Sequence, residues 1–153
     1  MDRKLIDQYA NGGDQLTEAI VGLSEEQMAA FPVPGTWSIQ QIVLYLLDSD
    51  LIGAERMKRV IAEDDPLLVA FDETAFSKKL FYDQLDARLA AEVFAKNRSL
   101  MFEILRRLPD EAFARTGRHS ERGPVSLADL LATFVGHLEH HLKFIQQKRR
   151  LVD

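Results

Sequence analysis

Two histidines four residues apart, His137 and His141, stand in the segment Phe134-Val135-Gly136-His137-Leu138-Glu139-His140-His141-Leu142-Lys143-Phe144-Ile145. Leu127, Leu130, Leu131, Phe134, Leu138 and Ile145 recur at the spacing of one helix face, and the two histidines continue that stripe. An imidazole on a buried face loses water at both ring nitrogens and needs a hydrogen-bond partner, a carboxylate or a metal ion. A pair at i and i+4 can converge two nitrogens on one divalent ion. His140 sits about a third of a turn from His141 and reads as solvent-facing. His119, among Arg118, Ser120 and Glu121, reads as an ordinary loop residue.

Composition narrows the chemistry further. The chain has no cysteine, which excludes disulfides and thiolate zinc sites, so any metal here rests on imidazole and oxygen ligands. There is no Gly-x-Ser-x-Gly elbow either, so covalent catalysis through the protein is not expected. A formal charge of −5 gives no overall attraction to nucleic acid. Lys148, Arg149 and Arg150 read as the solvated, dipole-complementing end of a helix. With 153 residues, 46% hydrophobic and 28% charged, the chain is expected to form one domain over residues 1–153. Its apolar runs, such as Ile42 to Leu47, are too short to cross a bilayer, and Met1 to Gln8 turns acidic and polar where a signal peptide is apolar. No membrane association and a cytoplasmic location are expected.

The elements that must position the histidines read as all-α. A first helix is expected over about Asp2 to Leu23, with Leu5, Tyr9, Leu16 and Ile20 on its stripe. The Gly12-Gly13 pair inside it costs about 1 kcal/mol per glycine against alanine, which predicts a kink or a close helix contact there. Ser24-Glu25-Glu26-Gln27 forms a capping box for a short helix ending before Pro32, and Pro32-Val33-Pro34-Gly35 is a turn. Ser38 caps a long apolar helix from Ile39 to about Ala62. Residues 67 to 84 form a long connection, with Asp72, Glu73, Phe71, Phe76, Phe81 and Tyr82, of the kind that crosses a bundle or acts as a lid. A third helix covers about Leu85 to Leu108, and Ser126 caps the last. Four long amphipathic helices, two short ones and one crossover predict a four-helix bundle with a long crossover connection.

Three landmarks occur in order: Val33-Pro34-Gly35-Thr36-Trp37-Ser38-Ile39, then Asp48-Ser49-Asp50, then His137 to His141. Together they resemble the DinB and YfiT-like superfamily of small four-helix bundles, over nearly the whole chain. The resemblance implies a divalent metal, often nickel or zinc, held by three histidines from the second and fourth long helices. It also implies a metal-dependent hydrolase or a transferase acting on a small-molecule substrate, in some members with a low-molecular-weight thiol. His137 and His141 match the two late ligands. The helix-two histidine, eight residues after the tryptophan in the family, is Tyr45 here. A phenol has a reference pKa near ~10 and must lose its proton to bind strongly. Asp48, one turn on, offers an oxygen in its place, giving a two-histidine, one-carboxylate centre and a candidate catalytic base. The candidate metal ligands are therefore His137, His141, Tyr45 and Asp48, and the candidate catalytic residues Tyr45 and Asp48.

A different outcome is open to the same residues: a phenol and two imidazoles can hydrogen-bond across the bundle with no ion, leaving a non-catalytic module that binds a small apolar ligand or a protein partner. Trp37 reads as a packing anchor at the start of its helix. A homodimer is expected, because bundles of this type pair through exposed apolar surface.

Overall fold

Apolar residues repeating every three to four positions become four long helices in the computed structural model, which describes residues 1–153. The order is α1 (Lys4–Ile20), α2 (Glu25–Ala29), α3 (Ile39–Ala62), β1 (Leu67–Leu68), α4 (Glu73–Lys79), α5 (Ala87–Leu105), a 3-10 turn (Asp110–Ala114), β2 (Thr116–His119), β3 (Gly123–Ser126) and α6 (Leu127–Val152). Helices α1 and α3 each pack against both α5 and α6. That pattern puts α1 diagonally opposite α3, and the crossover between α3 and α5 makes it possible.

Helix starts are fixed by side chains. Ser24, Ser38 and Ser126 each accept the backbone N–H three residues on, and Gln27, Gln41 and Asp129 accept the cap residue's own N–H. Each such cap contributes about 1 kcal/mol. The Ser38 cap also sets Trp37 at the mouth of α3, where its ring meets Tyr45 edge-on at 5.1 Å and Tyr82 at 6.4 Å. Asp72 caps α4 by accepting the Ala75 N–H, and Asp86 caps α5 by accepting the Arg88 and Leu89 N–H groups.

Two findings modify the sequence reading. The bundle carries a small three-stranded sheet, with β1 parallel to β2 (Leu68 opposite His119) and β2 antiparallel to β3 (Gly117 opposite Val125). These strands are too short for an alternating pattern to register, and the reversal between β2 and β3 ends on Gly123 at φ +75°. Lys148 is also buried rather than solvated, and its ammonium donates to Thr36 Oγ1 across the bundle.

The glycine pair in α1 marks a close helix contact. A Cβ on Gly13 would stand 2.9 Å from Ala95 Cα and 3.0 Å from Ala95 Cβ on α5. Gly13→Ala is therefore expected to lower stability in urea unfolding by about 1–3 kcal/mol, even though alanine is the better helix former. An unchanged or raised midpoint would show that α1 and α5 do not approach this closely.

Candidate functional site

Helices α3 and α6 bring Tyr45, His137 and His141 together. Tyr45 Oη lies 3.1 Å from His137 Nε2. The two imidazole centroids are 4.6 Å apart, and each is 5.2 Å from the phenol ring, all edge-on. The three heteroatom-bearing rings thus pack against one another, the two imidazoles one turn apart on α6. His140 is exposed and stacks edge-on with His141 and Phe144.

Burial sets the protonation of this cluster. Both imidazoles are pulled down to about 4, His137 by burial and then by His141, His141 by burial and then by His140. The Tyr45 phenol is pushed up to about 12 by burial. At neutral pH the cluster is two neutral imidazoles and one neutral phenol. The 3.1 Å contact between the Tyr45 hydroxyl and His137 Nε2 is a hydrogen bond in either tautomer of that ring.

The depressed imidazole pKa values carry a consequence for stability. In the unfolded chain both histidines take up protons as pH falls through about 6.5, whereas in the folded chain they resist until about 4. The unfolded state therefore binds more protons over that window, so stability falls as pH drops through it. Chelator-treated protein is expected to lose on the order of 1–2 kcal/mol between pH 7 and pH 5, after discounting for the partly exposed rings. A His137→Gln/His141→Gln variant should show a flatter slope in denaturant titrations. Equal slopes for the two proteins would mean the imidazoles are not buried as drawn.

Asp48 is engaged elsewhere. It accepts a 2.6 Å hydrogen bond from the Tyr82 hydroxyl, and burial together with Asp48 raises the Tyr82 pKa far above its ordinary value. No third histidine, aspartate or glutamate joins His137 and His141 in a metal-holding group. The donors gathered in this cluster are the two imidazoles and the Tyr45 oxygen. Glu139 is exposed.

Beside the cluster lies a cavity of about 230 Å³, lined among others by Tyr45, Ser49, Arg56, Glu73, His119 and His137. The connection between α3 and α5 forms one wall through Ala70, Phe71 and Glu73. His119 is not an ordinary loop residue. It ends β2, is buried, and its Nδ1 accepts the backbone N–H groups of Glu121 and Arg122, both at 3.2 Å. Burial, then Arg122 and Arg56, lower its pKa, so the neutral ring carries its proton on Nε2. Ser49 and Arg56 did not stand out in the sequence either. Their signal was position, since polar residues four and eleven places after Tyr45 fall on the buried stripe of α3.

Comparison with known proteins places these features. The family model of the DinB superfamily matches residues 8–145. A protein of Oceanobacillus iheyensis named "Putative metal-dependent hydrolase" is 29% identical over 147 residues, covering 94% of this chain and 80% of its own. YfiT of Bacillus subtilis, of the same designation, is 25% identical over 137 residues, covering 89% and 77%. The solved structure of that YfiT, with its unusual four-helix-bundle topology, superposes with a TM-score of 0.90 at 24% identity, over 96% of this chain and 85% of that one. The fold is thus the YfiT-type bundle, and the chain belongs to the DinB superfamily.

Proposed function

We propose that this protein is a metal-dependent enzyme of the DinB type that hydrolyses a small molecule or transfers a low-molecular-weight thiol to one, with a divalent ion held by His137 and His141. The packing of two neutral imidazoles against each other and against Tyr45, whose oxygen lies 3.1 Å from His137 Nε2, carries this reading. It draws support from relatives named for metal-dependent hydrolysis.

The donor set fits an ion in part. Two imidazole lone pairs free of protons at neutral pH are good nitrogen donors for zinc or nickel. The third donor is a phenol that keeps its proton at neutral pH and is hydrogen bonded to His137 Nε2, a bond that an ion on that nitrogen would have to displace. A bound divalent ion would supply Lewis acidity, lowering the pKa of water or of a thiol. Tyr45, held protonated by burial, is placed to donate to a substrate oxygen that gains negative charge. Asp48 acts through Tyr82: its carboxylate fixes the phenol that packs edge-on against Trp37, and Trp37 in turn packs on Tyr45. Asp48→Asn is accordingly expected to leave metal content unchanged, and loss of metal in that variant would return Asp48 to the ligand set.

A second reading follows from the Tyr45–His137 hydrogen bond itself. It satisfies the phenol and one imidazole without any ion, as a binding module of this fold would require. Untagged protein loaded with nickel, zinc or manganese separates the two. Saturable metal binding with hydrolytic or thiol-dependent turnover supports the enzyme, while neither, together with a chelator-independent melting temperature, supports the binding module.

A further inference from the structure

The crossover between α3 and α5 carries a carboxylate to the Tyr45–His137 pair, and hydrogen bonds on both sides of α4 hold it there. Before α4, Leu67 and Leu68 pair with β2, the Val69 carbonyl accepts from Arg56 Nη2 at 2.8 Å, and the Ala70 N–H donates to Ser120 Oγ at 2.9 Å. After α4, the Tyr82 hydroxyl donates to Asp48 at 2.6 Å. Asp72 caps the helix between these anchors, and Glu73 is its first residue. Glu73 lines the cavity together with Tyr45 and His137. It forms no ion pair, although Arg56 and Arg122 line the same cavity. Asp48 is bonded to Tyr82, so the carboxylate that serves the cluster comes from the crossover and not from α3.

Burial is the first cause of the raised Tyr45 pKa; Ser49 opposes it, and the Glu73 carboxylate adds to it through charge and hydrogen bonding. The same carboxylate adds to the raised pKa of Tyr82, after burial, Asp48 and Tyr45 itself. A phenol has one hydrogen to give. It can go to the Glu73 carboxylate or to His137 Nε2, 3.1 Å from Tyr45 Oη, but not to both. A carboxylate only accepts, and a charge-assisted hydrogen bond is roughly twice as strong as a neutral one, so the carboxylate is the favoured acceptor. The imidazole is then the donor in the 3.1 Å contact, with its hydrogen on Nε2 and its lone pair on Nδ1.

We propose that Glu73 is a positioning residue for Tyr45: its carboxylate takes the phenol's hydrogen, turns the O–H bond away from His137 and toward the cavity, and so leaves the His137 ring with its hydrogen on Nε2. The inference deepens the enzyme reading above and rests on it only in taking the group that replaces Glu73 on Tyr45 to be a substrate oxygen. An O–H already aimed into the cavity needs no reorientation when such an oxygen arrives. The orientation itself requires neither ion nor turnover.

The test is the histidine-ring ¹H–¹⁵N spectrum of chelator-treated, ¹⁵N-labelled protein at neutral pH. The two tautomers differ in their nitrogen shifts, and the His137 signals are assigned by their loss in His137→Gln. In the parent the His137 hydrogen should sit on Nε2. Glu73→Ala removes an exposed side chain and keeps the Asp72 cap, and it should move the tautomer ratio toward Nδ1–H by about tenfold. In a Tyr45→Phe background the same change should leave the ratio where it was, because the phenol that connects the two groups is gone. If the backbone amide resonances show α4 lost from Glu73→Ala, Glu73→Gln decides in its place: it keeps the length, removes the charge and should shift the ratio in the same direction. A parent with the hydrogen on Nδ1, an unmoved ratio without the carboxylate, or an equal shift in the Tyr45→Phe background would overturn the proposal. A Glu73-dependent tautomer in a protein that neither takes up metal nor turns over substrate would leave this inference standing and defeat the enzyme reading.

Discussion

Tyr45→His is expected to tighten zinc and nickel binding by about 10–100-fold. The phenol at this position is pushed up to about 12 and is hydrogen bonded to His137 Nε2, so an ion that used it would first have to remove its proton. An imidazole at position 45 faces the same two rings and offers a lone pair at neutral pH, which completes the three-nitrogen set of catalytic zinc centres. Tyr45→Phe should leave affinity at or slightly above that of the parent, since it removes the phenol that occupies His137 Nε2 and keeps the ring that packs on Trp37. Competition against a chromophoric chelator at fixed pH reads both variants. Equal affinity in parent, Tyr45→His and Tyr45→Phe would mean that position 45 does not face the ion.

Removing Arg98 is expected to cost about 3–5 kcal/mol of stability, the largest loss of any single substitution considered. Its guanidinium and the Asp50 carboxylate are both 2% exposed, and Asn97 supplies Asp50 with a further 3.1 Å hydrogen bond. The guanidinium also lies against the faces of Tyr9, at 4.3 Å, and Phe94, at 4.6 Å. Tyr9 and Phe134 belong to the apolar cluster at one end of the bundle, Phe94 and Leu138 to the cluster at the other, so the pair joins the two. Arg98→Met strands a buried carboxylate. Arg98→Met/Asp50→Leu removes both charges and should be markedly less destabilised than the sum of its single variants. Additive losses in guanidinium unfolding would show that the two groups do not interact as drawn.

The helices, their serine caps and the bundle were legible in the sequence because apolar spacing and capping chemistry are local. Ser24, Ser38 and Ser126 announce three helix starts, and the structure has all three. The glycine pair in α1 announced a close contact, and Ala95 makes it. The inward pairing of His137 and His141 was legible for the same reason. What escaped was set by partners distant in the chain. Asp48 shares a helix with Tyr45, but Tyr82, on the crossover, claims its carboxylate. His119 acquires its role from a strand of four residues that no alternation reveals. The burial of Arg56, Arg98 and Asp50 was written as charges on apolar stripes, a signal that becomes readable only when the facing helix is known.

The most direct measurement is the metal content of the untagged protein by elemental analysis, beside a His137→Ala/His141→Ala variant prepared in parallel. A two-imidazole metal centre predicts about one equivalent of nickel or zinc in the parent and none in the folded variant. No metal in the parent after reconstitution, or equal metal in both, would contradict it.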